Sequence, residues 1–260
     1  MRYKVLCGYI RQRWDCGDTV EIEEKHTGKY GARGQTREKK RKATPEEIKK
    51  HNQWKRERDV RRLIKWNFRE RDYWITLTYP KDYRPTWEEM KDHAGKLVRK
   101  MREKYKKQGW TLKYIYRLAI GSRGGRHIHI LINRESNEKT ATDLIITDLW
   151  EQQWGHGHVN FRTTYSEGGY KQLAEYLTKP LEEWEPGEVK RYHPSRNLIR
   201  KDPEVDEIKR RSLVDRDGKP RMPKAPKGYY VDPESIEVGI NPITHYAYRH
   251  YTLIKIKKRE

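Results

Sequence analysis

Between Tyr73 and Thr163 the apolar pattern alternates between a period of two and a period of about 3.6, and this order leaves few folds open. Tyr73-Trp74-Ile75-Thr76-Leu77-Thr78-Tyr79 is β-rich and partly alternating, and stops at Pro80. Thr86-Trp87-Glu88-Glu89 is a capping box, after which Met90, Leu97, Val98 and Met101 carry a helix to about Lys107. Gln108-Gly109 ends it. Lys113–Ile120 and Arg126–Ile132 read as strands of a hairpin turned by Gly121-Ser122-Arg123-Gly124-Gly125. Thr140–Trp154 is predicted helix, with Leu144, Ile145, Leu149 and Trp150 on one side. His158–Thr163 is a short strand, and Ser166–Lys179 a helix stopped by Pro180. The sequence β-α-β-β-α-β predicts an α+β fold of the split, ferredoxin-like kind, with an antiparallel sheet that leaves one face to a ligand.

The flanks are less regular. Met1–Arg13 and Thr19–Lys25 look like short strands. Lys25–Glu70 holds 17 Lys/Arg against 6 Asp/Glu, just over half of the net charge of +21, and includes Lys39, Lys40, Arg41 and Lys42. Thr44-Pro45-Glu46-Glu47 then caps a basic helix to about Phe68. This region is either an arm laid against phosphates or a solvated helix face with a tail. Lys201–Pro233, with five prolines, reads as a long loop, and Thr244–Lys257 as a final strand. The expected division is a basic N-terminal region (1–70), a central domain (71–190) and a C-terminal extension (191–260).

With 37% charged and 33% apolar residues and no long apolar run, the chain is expected to be cytoplasmic, with no membrane segment or secretory signal. Cys7 and Cys16 make neither a disulfide framework nor a zinc cluster. The abundance of Trp and Tyr argues against disorder, and the charge points to a polyanionic partner.

Three segments could carry chemistry. His127-Ile128-His129 lies in a strand, so both imidazoles project to one face. They are either two partly exposed histidines or two ligands of a divalent metal with open positions for a phosphate oxygen. Tyr176-Leu177-Thr178-Lys179 puts a phenol and an ammonium on neighbouring positions of one helix face. Tyr176 is either part of a core seam with Leu173 and Leu177 or a nucleophile helped by a nearby cation. Arg123 and Arg126, flanking two glycines, either hold phosphates or decorate an ordinary turn. A second pair, His156-Gly157-His158, sits in a loop, where solvent or DNA contact competes with ligation. No nucleotide-binding glycine loop or nucleophile elbow occurs.

In this order, Trp74-Ile75-Thr76-Leu77-Thr78-Tyr79-Pro80, His127-Ile128-His129 and Tyr176-Leu177-Thr178-Lys179 resemble the three motifs of the HUH endonuclease superfamily. Within it, the chain is similar to single-tyrosine rolling-circle replication initiators of plasmids, phages and integrative elements of Gram-positive bacteria. Tyr30-Gly31-Ala32, Thr44-Pro45-Glu46-Glu47 and Ser195-Arg196-Asn197-Leu198 extend the likeness. The resemblance implies that the histidine pair sits on a central strand and the nucleophile on a following helix. It implies that His127 and His129 bind Mg²⁺ or Mn²⁺, and that Tyr176 attacks single-stranded or hairpin origin DNA. The products would be a 5′-phosphotyrosine and a free 3′-hydroxyl, with Lys179 steadying charge.

A host helicase and a DNA polymerase would be partners, and the protein would act as a monomer or dimer. Relatives often have a third ligand, an acid, where this chain has Ala119; water, His158 or another residue would complete the shell. Gln172 stands four residues before Tyr176, so there is one tyrosine rather than a pair at that spacing. Two alternatives remain. One is a non-catalytic single-stranded nucleic-acid binder. The other is a conjugative relaxase or transposase with the same chemistry.

Overall fold

The computed structural model describes residues 8–28, 42–165, 167–186 and 190–256. Lys39, Lys40 and Arg41 lie outside these residues, as do Cys7, Tyr30 and Ser166. In chain order the strands and α-helices are β1 (Tyr9–Asp15), β2 (Thr19–His26), α1 (Pro45–Asn67), β3 (Tyr73–Thr78), α2 (Trp87–Lys107), β4 (Tyr114–Ile120), β5 (Arg126–Ile132), α3 (Thr142–Thr147), β6 (Val159–Thr163) and α4 (Lys171–Thr178). The remaining strands are β7 (His193–Pro194), β8 (Glu204–Ile208), β9 (Tyr229–Val231), β10 (Glu237–Ile240) and β11 (Ala247–Lys255). Among the described residues the protein is α+β, with two antiparallel sheets and four α-helices. No helix there is long and apolar enough to cross a membrane.

The chain divides into two compact units, Gln53–Ile199 and the combination of Met1–Asn52 with Arg200–Glu260. In the first, the sheet runs β6-β3-β5-β4-β7. Strand alternation gives it two unlike faces. On one, Ile75, Leu77, Ile128, Ile130 and Leu118 pack with Met90, Ala94, Leu97 and Met101 of α2 and with Ile146 and Trp150. A complete capping box at Thr86 and Glu89 fixes the start of α2. On the other face, Ile115 and Leu131 are covered by Val60, Leu63 and Ile64 of α1 and by Ala174 and Leu177 of α4. This cover stops short of the far half of that face, where Thr76, Thr78, Arg117, Ala119, His127 and His129 lie in register.

Two helices depart from the expected pattern. The segment expected as one helix over Thr140–Trp154 is α3 followed by a π-helical turn at Asp148–Gln153. The wider turn shifts the buried face, so Leu144 is 61% exposed while Ile146 is fully buried. It also lets the Trp150 indole N–H donate to the Thr78 carbonyl at 3.0 Å. The helix expected from Ser166 begins only at Lys171, after a 3-10 turn at Glu167–Tyr170. Tyr170 has left-handed φ of 61° and is buried in the core with Ala174.

In the other unit the sheet runs β10-β11-β2-β1-β8, with β9 on β11. Strands from both ends of the chain thus share one sheet. The stretch 201–233, expected as loop, contains β8 and β9. The polar strand β8 is held by pairing with β1, including an Arg13–Glu204 ion pair at 2.7 Å. Fully buried Glu24 is clamped by Arg11 and Arg249.

Candidate active site

His127 and His129 sit on β5, the middle strand of its sheet, with β3 on one side and β4 on the other. Their register partners are Thr78 and Ala119 for His127, and Thr76 and Arg117 for His129. The two imidazole centroids are 6.0 Å apart. His129 is stacked on Trp74 at 5.6 Å, and its Nδ1 is 3.1 Å from the Thr76 hydroxyl. That contact leaves Nε2 as the available nitrogen. The Nδ1 of His127 is buried without a hydrogen-bond partner. A Cβ on Gly125 would come within 3.0 Å of its Nε2, so glycine keeps the space beside that nitrogen open.

Burial holds the His129 imidazole down at about 4, with the positive charges of His127 and Arg117 adding to the effect. Burial alone lowers His127. Both rings are therefore neutral at physiological pH, the form that ligates a metal. A divalent cation fits this donor pair: an orphaned nitrogen, a neutral partner and a glycine-made space are all present. No third His, Cys, Asp or Glu joins them among the described residues. Ala119, opposite His127, offers no donor, and the His158 side chain is 94% exposed, 3.9 Å from Glu151.

Helix α4 delivers the phenol. Leu177, Ala174 and Thr178 face the core, while Tyr176, 37% exposed, turns away from it and toward the histidines. It is therefore not a member of a core seam. Its ring meets His129 edge-on at 4.9 Å and Trp74 edge-on at 5.6 Å. Burial raises its pKa, a nearby guanidinium at Arg117 opposes the rise, and Glu185 reinforces it.

Arg117 was not legible as a functional residue, yet it organises this corner. Its guanidinium donates to the carbonyls of Tyr176 (3.3 Å), Leu177 (3.4 Å), Lys179 (2.6 Å) and Pro180 (3.5 Å). These are the carbonyls that a helix end leaves without partners. The same guanidinium pairs with buried Glu185 at 3.6 Å. Glu185 also accepts from the Ile120 and Glu182 N–H groups. The signal available in the sequence was period two: Arg117 is two residues from Ala119 and so shares its face.

The other candidates are placed differently. The Lys179 ammonium is paired with Glu182, so Arg117 is the cation set over the Tyr176 ring. Arg126 is bound to the carbonyls of Pro85 and Gly124, while Arg123 is exposed on the turn. Lys42 is exposed just before α1. His156 joins an aromatic cluster with His93 at 4.2 Å, Trp150 at 4.9 Å and Tyr79 at 5.8 Å.

No curated protein and no solved structure matches the chain. Residues 72–181, which run from β3 through α4 and contain His127, His129 and Tyr176, match the family model for the replication-associated protein ORF2 family of replication initiators.

Proposed function

We propose that this protein nicks and rejoins single-stranded DNA through Tyr176 and thereby initiates rolling-circle replication. The observation that carries the reading is the approach of one phenol, from α4, to within 4.9 Å (ring to ring) of an imidazole on β5. Three residues far apart in sequence meet on the uncovered half of one sheet face, inside the segment that matches a replication-associated family. The strand order β6-β3-β5-β4 supports reading this sheet as ferredoxin-like, with the histidine pair central.

In this reading His127 and His129 hold Mg²⁺ or Mn²⁺, which when bound withdraws charge from the scissile phosphate. Trp74, stacked on His129, and Thr76, bonded to its Nδ1, fix the ring. Arg117 holds the end of α4 and so sets the position of the phenol. The Tyr176 oxygen bonds to phosphorus as the bond to the 3′ oxygen breaks. The phenolic proton leaves to solvent, and the departing 3′ oxygen takes one up. The phosphotyrosine conserves the bond, so attack by a 3′-hydroxyl rejoins the strand without a nucleotide cofactor. A polymerase extends the free 3′ end, and unwinding is supplied by a host helicase.

The test is incubation with a pool of labelled single-stranded and hairpin DNA and Mn²⁺, followed by denaturing electrophoresis. A covalent protein–DNA species is expected, and Tyr176→Phe should remove it. Its absence across the pool, or its persistence in the variant, would overturn the reading. Ala119 favours one alternative, a single-strand binder without chemistry. That alternative predicts binding unaffected by chelation or by His127→Ala, and no adduct.

A further inference from the structure

A groove of about 710 Å³ opens on the opposite face of the sheet from the histidines, between α2 and the β4–β7 edge. Tyr114 and Tyr116 reach it because they alternate with Ile115 and Arg117 along β4. The rings of Tyr114 and Tyr116 are stacked at 6.0 Å, and His193 of β7 is stacked on Tyr116 at 4.7 Å. Burial, with Lys190 and Lys91 nearby, lowers the His193 pKa, so the imidazole is a neutral stacking surface.

Arg99, Arg102 and Arg196 also line the groove. The carboxylates of α2 are taken by other side chains: Glu88 by Lys91, Asp92 by Lys96 and Glu103 by Lys100. None of the three arginines belongs to an ion pair among the described residues. Planar guanidinium groups free of carboxylates are suited to phosphate oxygens. Gly95 adds a separate observation. It sits inside α2, where glycine costs about 1 kcal/mol relative to alanine. Its φ is not positive, and a Cβ there would meet nothing within 4 Å. Neither backbone conformation nor packing calls for glycine, but the residue lines the groove, and any side chain would project into it.

We propose that this groove is a second binding site for single-stranded DNA, with Arg99, Arg102 and Arg196 on the phosphates and the Tyr116–His193 stack against the bases. Its size suits roughly one or two nucleotides and excludes a duplex. The site extends the proposed function, because it serves the same strand that Tyr176 would cut, but it has no part in the chemistry.

The experiment measures fluorescence anisotropy of fluorescein-labelled oligothymidylate, on the order of 12 nucleotides, a length within the range of single-strand sites. The protein carries Tyr176→Phe throughout, so binding is read without reaction. Arg99→Glu/Arg102→Glu is expected to weaken binding about tenfold or more and to lower the salt slope by about 1.4, since each phosphate contact on a single strand contributes about 0.7. Lys106→Glu/Lys107→Glu, with the same charge change on the same helix, is the control and should shift affinity much less. Gly95→Leu should fill the groove and weaken binding while the unfolding midpoint holds. Equal losses in the arginine and lysine pairs, or unimpaired binding in Gly95→Leu, would overturn the proposal. Adduct formation by the groove variants with Tyr176 restored separates the two readings. Adducts with unchanged oligothymidylate binding would sink the groove alone, and groove-dependent binding without any adduct would sink the nicking chemistry alone.

Discussion

Arg117 lies with its guanidinium 5.9 Å from the centre of the Tyr176 ring and donates to the backbone carbonyl of the same residue at 3.3 Å. One buried cation thus caps the helix that carries the phenol and sets the field around it. Glu185 balances that cation, with both side chains almost fully buried.

Breaking this pair should be costly. Arg117→Met strands the Glu185 carboxylate and frees four carbonyls, and is expected to destabilise the fold by about 3–5 kcal/mol, a large share of an ordinary domain's stability. Arg117→Met/Glu185→Met should recover part of the loss. Urea unfolding of both variants checks this, and a double variant no better than the single one would contradict it.

The His156 cluster makes stability depend on pH. Burial, then the charges of His93 and Lys96, pull His156 from its ordinary 6.5 to about 4 in the folded protein. His93 is lowered too, chiefly by burial. Between 4 and 6.5 the unfolded chain binds more protons than the folded one, so stability rises with pH through that window and is lost as pH falls. The urea midpoint should therefore be lower at pH 5 than at pH 7. His156→Phe should flatten the dependence, and an unchanged slope would count against this assignment.

Gly157 joins that cluster to β6 in a conformation only glycine takes easily, with φ of 119°. A Cβ there would stand 2.6 Å from the Thr78 carbonyl oxygen. Gly157→Ala is expected to cost about 2–4 kcal/mol, combining backbone strain with that clash. It should also disturb Thr78, the register partner of His127. Thermal unfolding reads the first effect and adduct yield the second. A midpoint within a degree or so of the parent would refute the prediction.

Ala119 leaves the donor set at two histidines. Under the proposed function, chelation should abolish adduct formation, and added Mn²⁺ should restore it. Ala119→Glu places a carboxylate beside His127 and is expected to tighten Mn²⁺ binding by about tenfold or more, as measured by calorimetry. Equal affinities in the two proteins would show that position 119 does not face the cation.

Local rules settle much of this protein from its sequence. Alternation fixed the faces of β3, β4 and β5, so His127 and His129 had to share one of them. The Thr86–Glu89 box fixed where α2 begins, and the 171–178 spacing put Leu177 in the core and Tyr176 off it. These features depend on neighbours a few residues apart, which the chain displays directly. The π-helical turn at Asp148–Gln153 was hidden, because a bulge of that kind is selected by what Trp150 reaches across the fold, the Thr78 carbonyl. Strand β8 was hidden as well, since its polar residues become a strand only by pairing with β1, nearly two hundred positions away in the chain. Arg117 looked like one basic residue among 59. Only burial, which withdraws water and leaves the helix-end carbonyls and Glu185 as its partners, turned it into the residue that positions Tyr176.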